Sequence, residues 1–270
     1  MRFADDHMHT RFSMDGISPM RDMVKAAVDR GLFEICFTDH LDKGHPTCDG
    51  PIDFNEYLKE IEACRALYPQ LTIHAGIEIG DNAPIRAQIH KILSDLPLDF
   101  HLLSLHLVDG QDPYDGDFYV GRTQDEAYRL YVEYVLESVL HFGEFDALAH
   151  LGYCGKFAPY GRDLNPLKWR HAPDQIDMIL RFLAQNGKAL EINTSGYKTT
   201  DFPIPGRDIL RRFAELGGEF VTLGADAHQT EYVGYQFEEA RRLAISCGLR
   251  WAVTFDHHKP VPYSLEDIHA

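Results

Sequence analysis

The stretch Arg2-Phe3-Ala4-Asp5-Asp6-His7-Met8-His9 sets the reading of the whole chain: a short apolar opening runs into two histidines one residue apart, and Asp15 follows six positions later. Side chains alternate along a strand, so a strand over residues 2–8 points His7 and His9 to one face. Such a pair is suited to holding a metal ion.

The same arrangement recurs along the chain. Residues 33–38 are apolar and end in Thr38-Asp39-His40; residues 71–79 carry Glu78; residues 100–107 contain Ser104-Leu105-His106; residues 146–150 end in His150; residues 188–193 contain Glu191; residues 220–226 run into Asp226-Ala227-His228. Between these strands lie helical stretches near 19–31, 53–68, 85–93, 123–142, 173–186, 207–216 and 237–247. The helix over 123–142 shows Tyr128, Tyr131, Val132, Val135, Leu136 and Val139 at three-to-four spacing, as expected when one face packs on a sheet. A short strand over 251–255 closes the chain.

Repeated β-then-α order implies parallel strands with right-handed crossovers. About seven such units and the tail strand fit a distorted (β/α)7 TIM-like barrel of one domain over residues 1–270, a length common for such barrels. A doubly wound open sheet fits the same element order, but no G-x-G-x-x-G follows the first strand. The barrel is favoured by where the polar residues fall: each strand delivers a metal-type ligand at its C-terminal end, and in a barrel those ends share one mouth.

The candidate ligands are His7, His9, His40, Glu78, His106, His150, Glu191, Asp226 and His228. Imidazole and carboxylate donors without thiolates suit zinc, manganese or iron. Nine ligands exceed the needs of one ion, so two or three divalent ions are expected, with Glu78 or Asp226 as bridges. His45, His90, His141, His171, His257, His258 and His269 are read as structural or exposed, and His74 and His101 are left outside the set.

The formal net charge of −16 argues against nucleic acid or an anionic membrane as main partner. Five scattered cysteines without a C-x-x-C pair suit reduced thiols, and no signal peptide or apolar run of membrane-spanning length is present, so a cytoplasmic location is expected. Clustered ions with no nucleophilic Ser or Cys motif point to hydrolysis by a metal-bound hydroxide, for which a small phosphate monoester is the natural substrate.

With these residues in hand, the sequence resembles the PHP family of metal-dependent phosphoesterases, and within it the histidinol-phosphatase branch. The likeness rests on His7-Met8-His9 with Ser13-Met14-Asp15-Gly16, Thr38-Asp39-His40, Glu78, Ser104-Leu105-His106, Ala149-His150, Glu191-Ile192-Asn193-Thr194-Ser195-Gly196, Gly224-Ala225-Asp226-Ala227-His228 with Val233-Gly234, and the tail from Trp251 to Pro260. It implies a trinuclear site: one ion on His7, His9, Glu78 and Asp226, a second on Glu78, His106 and His150, a third on Asp15, His40 and His228. Asp15, Glu78 and Asp226 are then the carboxylates of the catalytic centre, and Asp39 and Glu191 orient ligands.

Phosphate binding falls to Lys156, Arg162, Lys198 and Arg207 beside Ser195, all on or next to the two irregular loops 152–169 and 194–206. The segment after Ser195-Gly196 reads Tyr197-Lys198 where the family often has Leu-Arg, and Gly152 stands where aspartate is common; both leave the exact ester open. The resemblance implies hydrolysis of L-histidinol phosphate in histidine biosynthesis. Another small phosphate ester, or a metal-binding module without turnover, are the alternatives.

Overall fold

A computed structural model describes residues 3–50 and 52–266, so that Arg2, Pro51 and His269 lie outside the described residues. Along the chain run β1 (Ala4–Asp5), α1 (Met20–Asp29), β2 (Glu34–Phe37), β3 (His40–Leu41), α2 (Phe54–Leu67), β4 (Thr72–Gly80), α3 (Arg86–Leu93), β5 (Phe100–Ser104), α4 (Gln124–His141), β6 (Ala147–Leu148), α5 (Pro173–Gln185), β7 (Ala189–Asn193), α6 (Arg207–Glu215), β8 (Phe220–Gly224), α7 (Phe237–Ser246), β9 (Trp251–Asp256) and β10 (Lys259–Ser264). Strands β1, β2, β4, β5, β6, β7 and β8 pair in parallel in that order, each feeding a helix, and β3 pairs with β4 beyond the end of β2. These are the expected seven units.

The barrel closes at the point where the first strand was expected to continue. After Asp5 the backbone leaves the ladder with β2 and meets the far end of β8: Asp6 N–H donates to Leu223 O at 2.9 Å, Asp226 N–H to His7 O at 2.8 Å, and His9 N–H to Ala227 O at 2.9 Å. β8 changes partner midway, because its first residues pair with β9 at Phe220–Trp251 and Val221–Ala252. This shared strand is the distortion.

Two expectations are corrected. The strand expected over 33–38 is β2 followed by a separate β3 that carries His40. The tail is a β-hairpin and not a lone strand, since β10 pairs antiparallel with β9 over Lys259–Ser264. Pro260 and Pro262 hide β10 in the sequence, but an edge strand tolerates proline because one of its sides needs no donor. Among the described residues no helix is long and apolar enough to cross a membrane.

Helices cover the outside of the barrel with apolar faces. α4 starts with a capping box between Thr123 and Glu126 and buries Tyr128, Tyr131, Val132, Val135 and Val139, while Leu136 stays half-buried. From α2, buried Tyr57 sends its hydroxyl between Phe37 O (3.0 Å) and Gly76 O (2.9 Å), tying the helix to β2 and β4.

The base of the barrel is held by Asp99, just before β5. Its Oδ2 accepts from Ala75 N–H at 2.9 Å and Arg65 at 3.2 Å and lies 3.3 Å from His74 Nδ1, whose other nitrogen is 3.2 Å from Glu34. Burial works against a charged His74, but hydrogen bonds to the Asp99 and Glu34 carboxylates outweigh it and raise its pKa to about 10. A folded-state pKa above the unfolded value of about 6.5 contributes stability that is complete below that value and lost as pH rises through about 10. His74→Ala should therefore cost about 3 kcal/mol near pH 6 in urea unfolding, with the deficit shrinking above about pH 10. An equal deficit at both pH values would contradict this.

Candidate metal centre

Glu78, near the end of β4 and 1% exposed, lies within reach of five imidazoles. Its Oε1 is 2.8 Å from His150 Nε2 and 3.2 Å from His106 Nε2; its Oε2 is 2.9 Å from His40 Nδ1, 3.4 Å from His7 Nε2 and 3.6 Å from His9 Nε2. Burial favours the neutral acid, but the charges of His7, His40 and His106 hold the carboxyl well below the usual range. Ser104 on β5 donates to Oε1 at 2.6 Å.

The histidine tautomers follow from the outer partners. His7 Nδ1 is 2.5 Å from Glu191 Oε1, His9 Nδ1 is 3.1 Å from Ser13 Oγ, and His106 Nδ1 is 2.8 Å from Asp42 Oδ1. With the Nδ1 proton engaged outward, Nε2 is the nitrogen that faces inward, and it presents a lone pair once a cation takes the place of its proton. Burial and the nearby His228 and His40 push the His9 pKa well down, so its ring stays a neutral donor.

Three clusters of donors result. His7 Nε2 and His9 Nε2 lie 3.0 Å apart, and Asp226 Oδ1 is 3.8 and 3.4 Å from them, with Glu78 Oε2 on the other side. Glu78 Oε1, His106 and His150 form the second group, the two Nε2 atoms 3.4 Å apart. Asp15 lies 3.0 Å from His228 Nε2 and 3.7 Å from His40 Nε2, on the side open to solvent. These residues fit cations: ligand-type nitrogen and oxygen atoms converge at contact distance, and Glu78 Oε2, fully buried, has no hydrogen-bond donor among the described residues.

Local backbone choices aim the ligands. His150 and Asp226 have positive φ values of 39° and 52°, a conformation costly for non-glycine residues and common where a side chain must be turned into a site. At Gly224 an added Cβ would sit 2.1 Å from Glu191 Oε1 and 2.6 Å from His7 Cβ, so only glycine lets β8 pass the His7–Glu191 pair.

The expected helper residues divide. Glu191 touches His7 directly. Asp39 acts one step further out: it accepts from Thr10 N–H (2.7 Å), Thr10 hydroxyl (2.9 Å), Ser13 N–H (3.0 Å) and Ser13 hydroxyl (2.7 Å), holding the serine that receives His9. Asp42 is the residue the sequence reading passed over. It contacts both His106 and His40 Nδ1 (3.0 Å), and Gly80 leaves it room. Its spacing from His40, one residue between, carries the same signal as His7 and His9.

The basic residues also divide. Lys156 lines the mouth with its ammonium 2.9 Å from Asp226 Oδ2. Lys198 stands 3.6 Å over the Tyr232 ring; burial lowers its pKa, and Asp226 and Lys156 are among the charges it feels. Ser195 is buried, its hydroxyl 2.6 Å from Asn193 Oδ1 and 3.0 Å from Asp226 Oδ2, so it supports a ligand. Arg162 and Arg207, expected at the phosphate, turn elsewhere: Arg162 is more than half exposed and pairs with Asp201 at 2.6 Å, and Arg207, the first residue of α6, donates to Ser246 on α7 at 2.7 Å. A position in or beside an irregular loop does not set direction: Arg162 is held by Asp201, and Arg207 already belongs to α6.

The mouth is a cavity of about 560 Å³. Its floor is Glu78, His40, His106, His150, Asp226 and His228. Its outer wall brings Tyr153, Phe157 and Tyr114 together with Asp112 and Asp115.

The fold and this donor set define a metal-dependent enzyme of the barrel type, and the comparisons give its family. The chain belongs to the PHP domain family, whose profile matches residues 5–195. It is 33% identical to the histidinol-phosphatase of Lactococcus lactis, with 96% of each chain covered, and 25% identical to the histidinol-phosphatase of Bacillus subtilis, covering 88% of this chain and 98% of that one. A crystal structure of histidinol phosphate phosphatase from Lactococcus lactis, complexed with zinc, L-histidinol and phosphate, superposes with a TM-score of 0.88 at 32% identity, over 97% of this chain and 100% of the other. The clustered donors and this neighbour support divalent metal binding.

Asp42→Asn should weaken metal binding about 10- to 100-fold, the usual effect of removing a carboxylate behind a ligating histidine. Competition with a chromophoric chelator measures it. An unchanged affinity would show that Asp42 serves only the loop.

Proposed function

We propose that this chain hydrolyses L-histidinol phosphate to L-histidinol and phosphate, a step of histidine biosynthesis. The observation that carries the reading is the mouth itself: a polynuclear donor set at its floor, one lysine at its edge, and a wall of aromatic rings and carboxylates above. A phosphoryl group suits the floor. The imidazole and ammonium of histidinol suit Tyr114, Tyr153 and Phe157 with Asp112 and Asp115, through ring contacts and opposite charge.

His7, His9, Glu78 and Asp226 would hold one divalent ion, Glu78, His106 and His150 a second, and Asp15, His40 and His228 a third, zinc, manganese or iron all suiting the donors. Such ions supply an acidified water and neutralise the phosphoryl oxygens. The protein's own contribution is placement. Glu191, Ser13 and Asp42 keep the Nε2 atoms of His7, His9 and His106 facing inward, and Ser195 and Asn193 orient Asp226.

Lys156 is the phosphate clamp, because its ammonium reaches the floor beside Asp226 and can shift to a phosphoryl oxygen with little movement. Lys198 adds positive potential behind it. In the reaction, water oxygen bonds to phosphorus as the bond from phosphorus to the histidinol oxygen breaks, and that oxygen leaves with a proton. The excess of acidic residues elsewhere suits a small substrate captured at a local positive point and not a nucleic acid.

Incubating metal-loaded protein with L-histidinol phosphate should release inorganic phosphate; turnover of other monoesters without it would overturn the substrate assignment. In the same assay Lys156→Ala should raise KM or lower kcat/KM about 10- to 100-fold, the range for losing one charge-assisted hydrogen bond. Arg162→Ala should leave both constants near wild type. A large effect of Arg162→Ala with none of Lys156→Ala would displace the clamp.

A further inference from the structure

At the opposite end of the barrel from the catalytic mouth lies a second group of metal-type side chains. His101 is the second residue of β5, Asp146 immediately precedes β6, and His258 is in the turn between β9 and β10. His101 and Asp146 stand at the N-terminal ends of β5 and β6, the turn that carries His258 packs against Asp99 just before β5, and none of the three lines the mouth.

Their geometry is that of a site. One donor atom from each of His101, Asp146 and His258 lies within 4.8 Å of the other two. His258 Nδ1 is 2.8 Å from Asp146 Oδ2, and the His101 and His258 rings are 4.5 Å apart at 60°. His101 Nε2 is shielded from solvent and has no hydrogen-bond partner among the described residues. A neutral imidazole nitrogen buried beside a carboxylate and a second imidazole lacks only a cation to satisfy it.

The scaffold holds these groups before any ion arrives. Asp146 Oδ2 accepts from His101 N–H at 2.7 Å, Asp146 N–H donates to His101 O at 2.9 Å, and Ala189 N–H donates to Asp146 O at 3.0 Å, so the first two ligands are locked across β5, β6 and β7. His258 is brought in by a two-residue turn in which His257 and His258 have φ of 49° and 61°, positions where Asn-Gly is the usual choice. Its N–H donates to Asp99 O at 2.9 Å. Two histidines in that turn are poor for the backbone alone.

We propose that His101, Asp146 and His258 form a second, structural metal site at the base of the barrel, taking a zinc-type divalent ion that clamps the C-terminal hairpin to β5 and β6. Two imidazoles and a carboxylate select borderline transition ions over magnesium or calcium. His258 is 41% exposed on its side chain, which leaves the outward coordination position to water. Its neighbour His257 turns to Asp99 instead, with Nδ1 3.3 Å from Oδ1, and contributes nothing to the ion.

The test uses the full chain with its catalytic centre intact and zinc as the probe. After zinc loading and dialysis, elemental analysis should find one ion fewer per chain in His258→Asn and in His101→Asn than in wild type, and His257→Asn should keep the full number. Asparagine is at home at positive φ, so His258→Asn keeps the turn, and circular dichroism verifies the fold of all three variants. Phosphate release from the loaded variants should match wild type, which separates this site from the catalytic one. Cobalt substitution gives an independent reading: the visible absorption of wild type minus that of His258→Asn should be the spectrum of one nitrogen- and oxygen-ligated ion. Equal zinc content in wild type, His258→Asn and His101→Asn overturns the proposal, as does an equal loss in His257→Asn.

Discussion

A buried carboxylate surrounded by five imidazoles is the constraint on which this molecule turns. Glu78 sits 1% exposed with five histidines within 3.6 Å, and the hydroxyl of Ser104 donates to only one of its two oxygens. Its second oxygen is left without a donor. An arrangement of this kind is expensive for an empty protein, because desolvated charge opposes folding. It becomes favourable once cations occupy the gaps, so metal binding and the stability of the barrel mouth are linked.

The rest of the mouth is organised to hold that arrangement in place. In His7, His9 and His106 the outward Nδ1–H donates to Glu191, Ser13 and Asp42 respectively, which fixes ring orientation and turns Nε2 inward. The backbone follows suit: β8 carries glycine where the His7–Glu191 pair passes, and His150 and Asp226 adopt left-handed conformations that turn them into the site. Barrel closure uses the same residues, since the hydrogen bonds that join the first strand to β8 run through Asp6, His7, His9 and Asp226. The seam of the barrel and the first ligand cluster are one structure.

Much of this was legible in the sequence because it follows from periodicity. A strand presents alternate residues to one face and a parallel strand ends at the mouth, so ligands at strand ends, from His7 to His228, could be read as one cluster. Asp42 carried the same alternation with His40 and was overlooked because it lies past the predicted strand end. The basic residues were harder. Lys156, Arg162, Lys198 and Arg207 all belong to or border irregular loops, and no periodicity says which way a loop residue points. Lys156 turns to Asp226, whereas Arg162 finds Asp201 and Arg207 finds Ser246.

By itself the sequence determined the β/α order, the seven-unit barrel and which donor-type side chains stand at the strand ends, because local spacing and strand polarity suffice for all three. Only the tertiary structure decided which cation reaches the mouth, that the tail forms a hairpin, and that His101, Asp146 and His258 meet at the base. The contacts of the base cluster join residues 45 to 157 positions apart in the chain (101 to 146, 101 to 258), and their partners are chosen by how the loops and the hairpin pack against the barrel. Alternation along a strand carries no information over that separation.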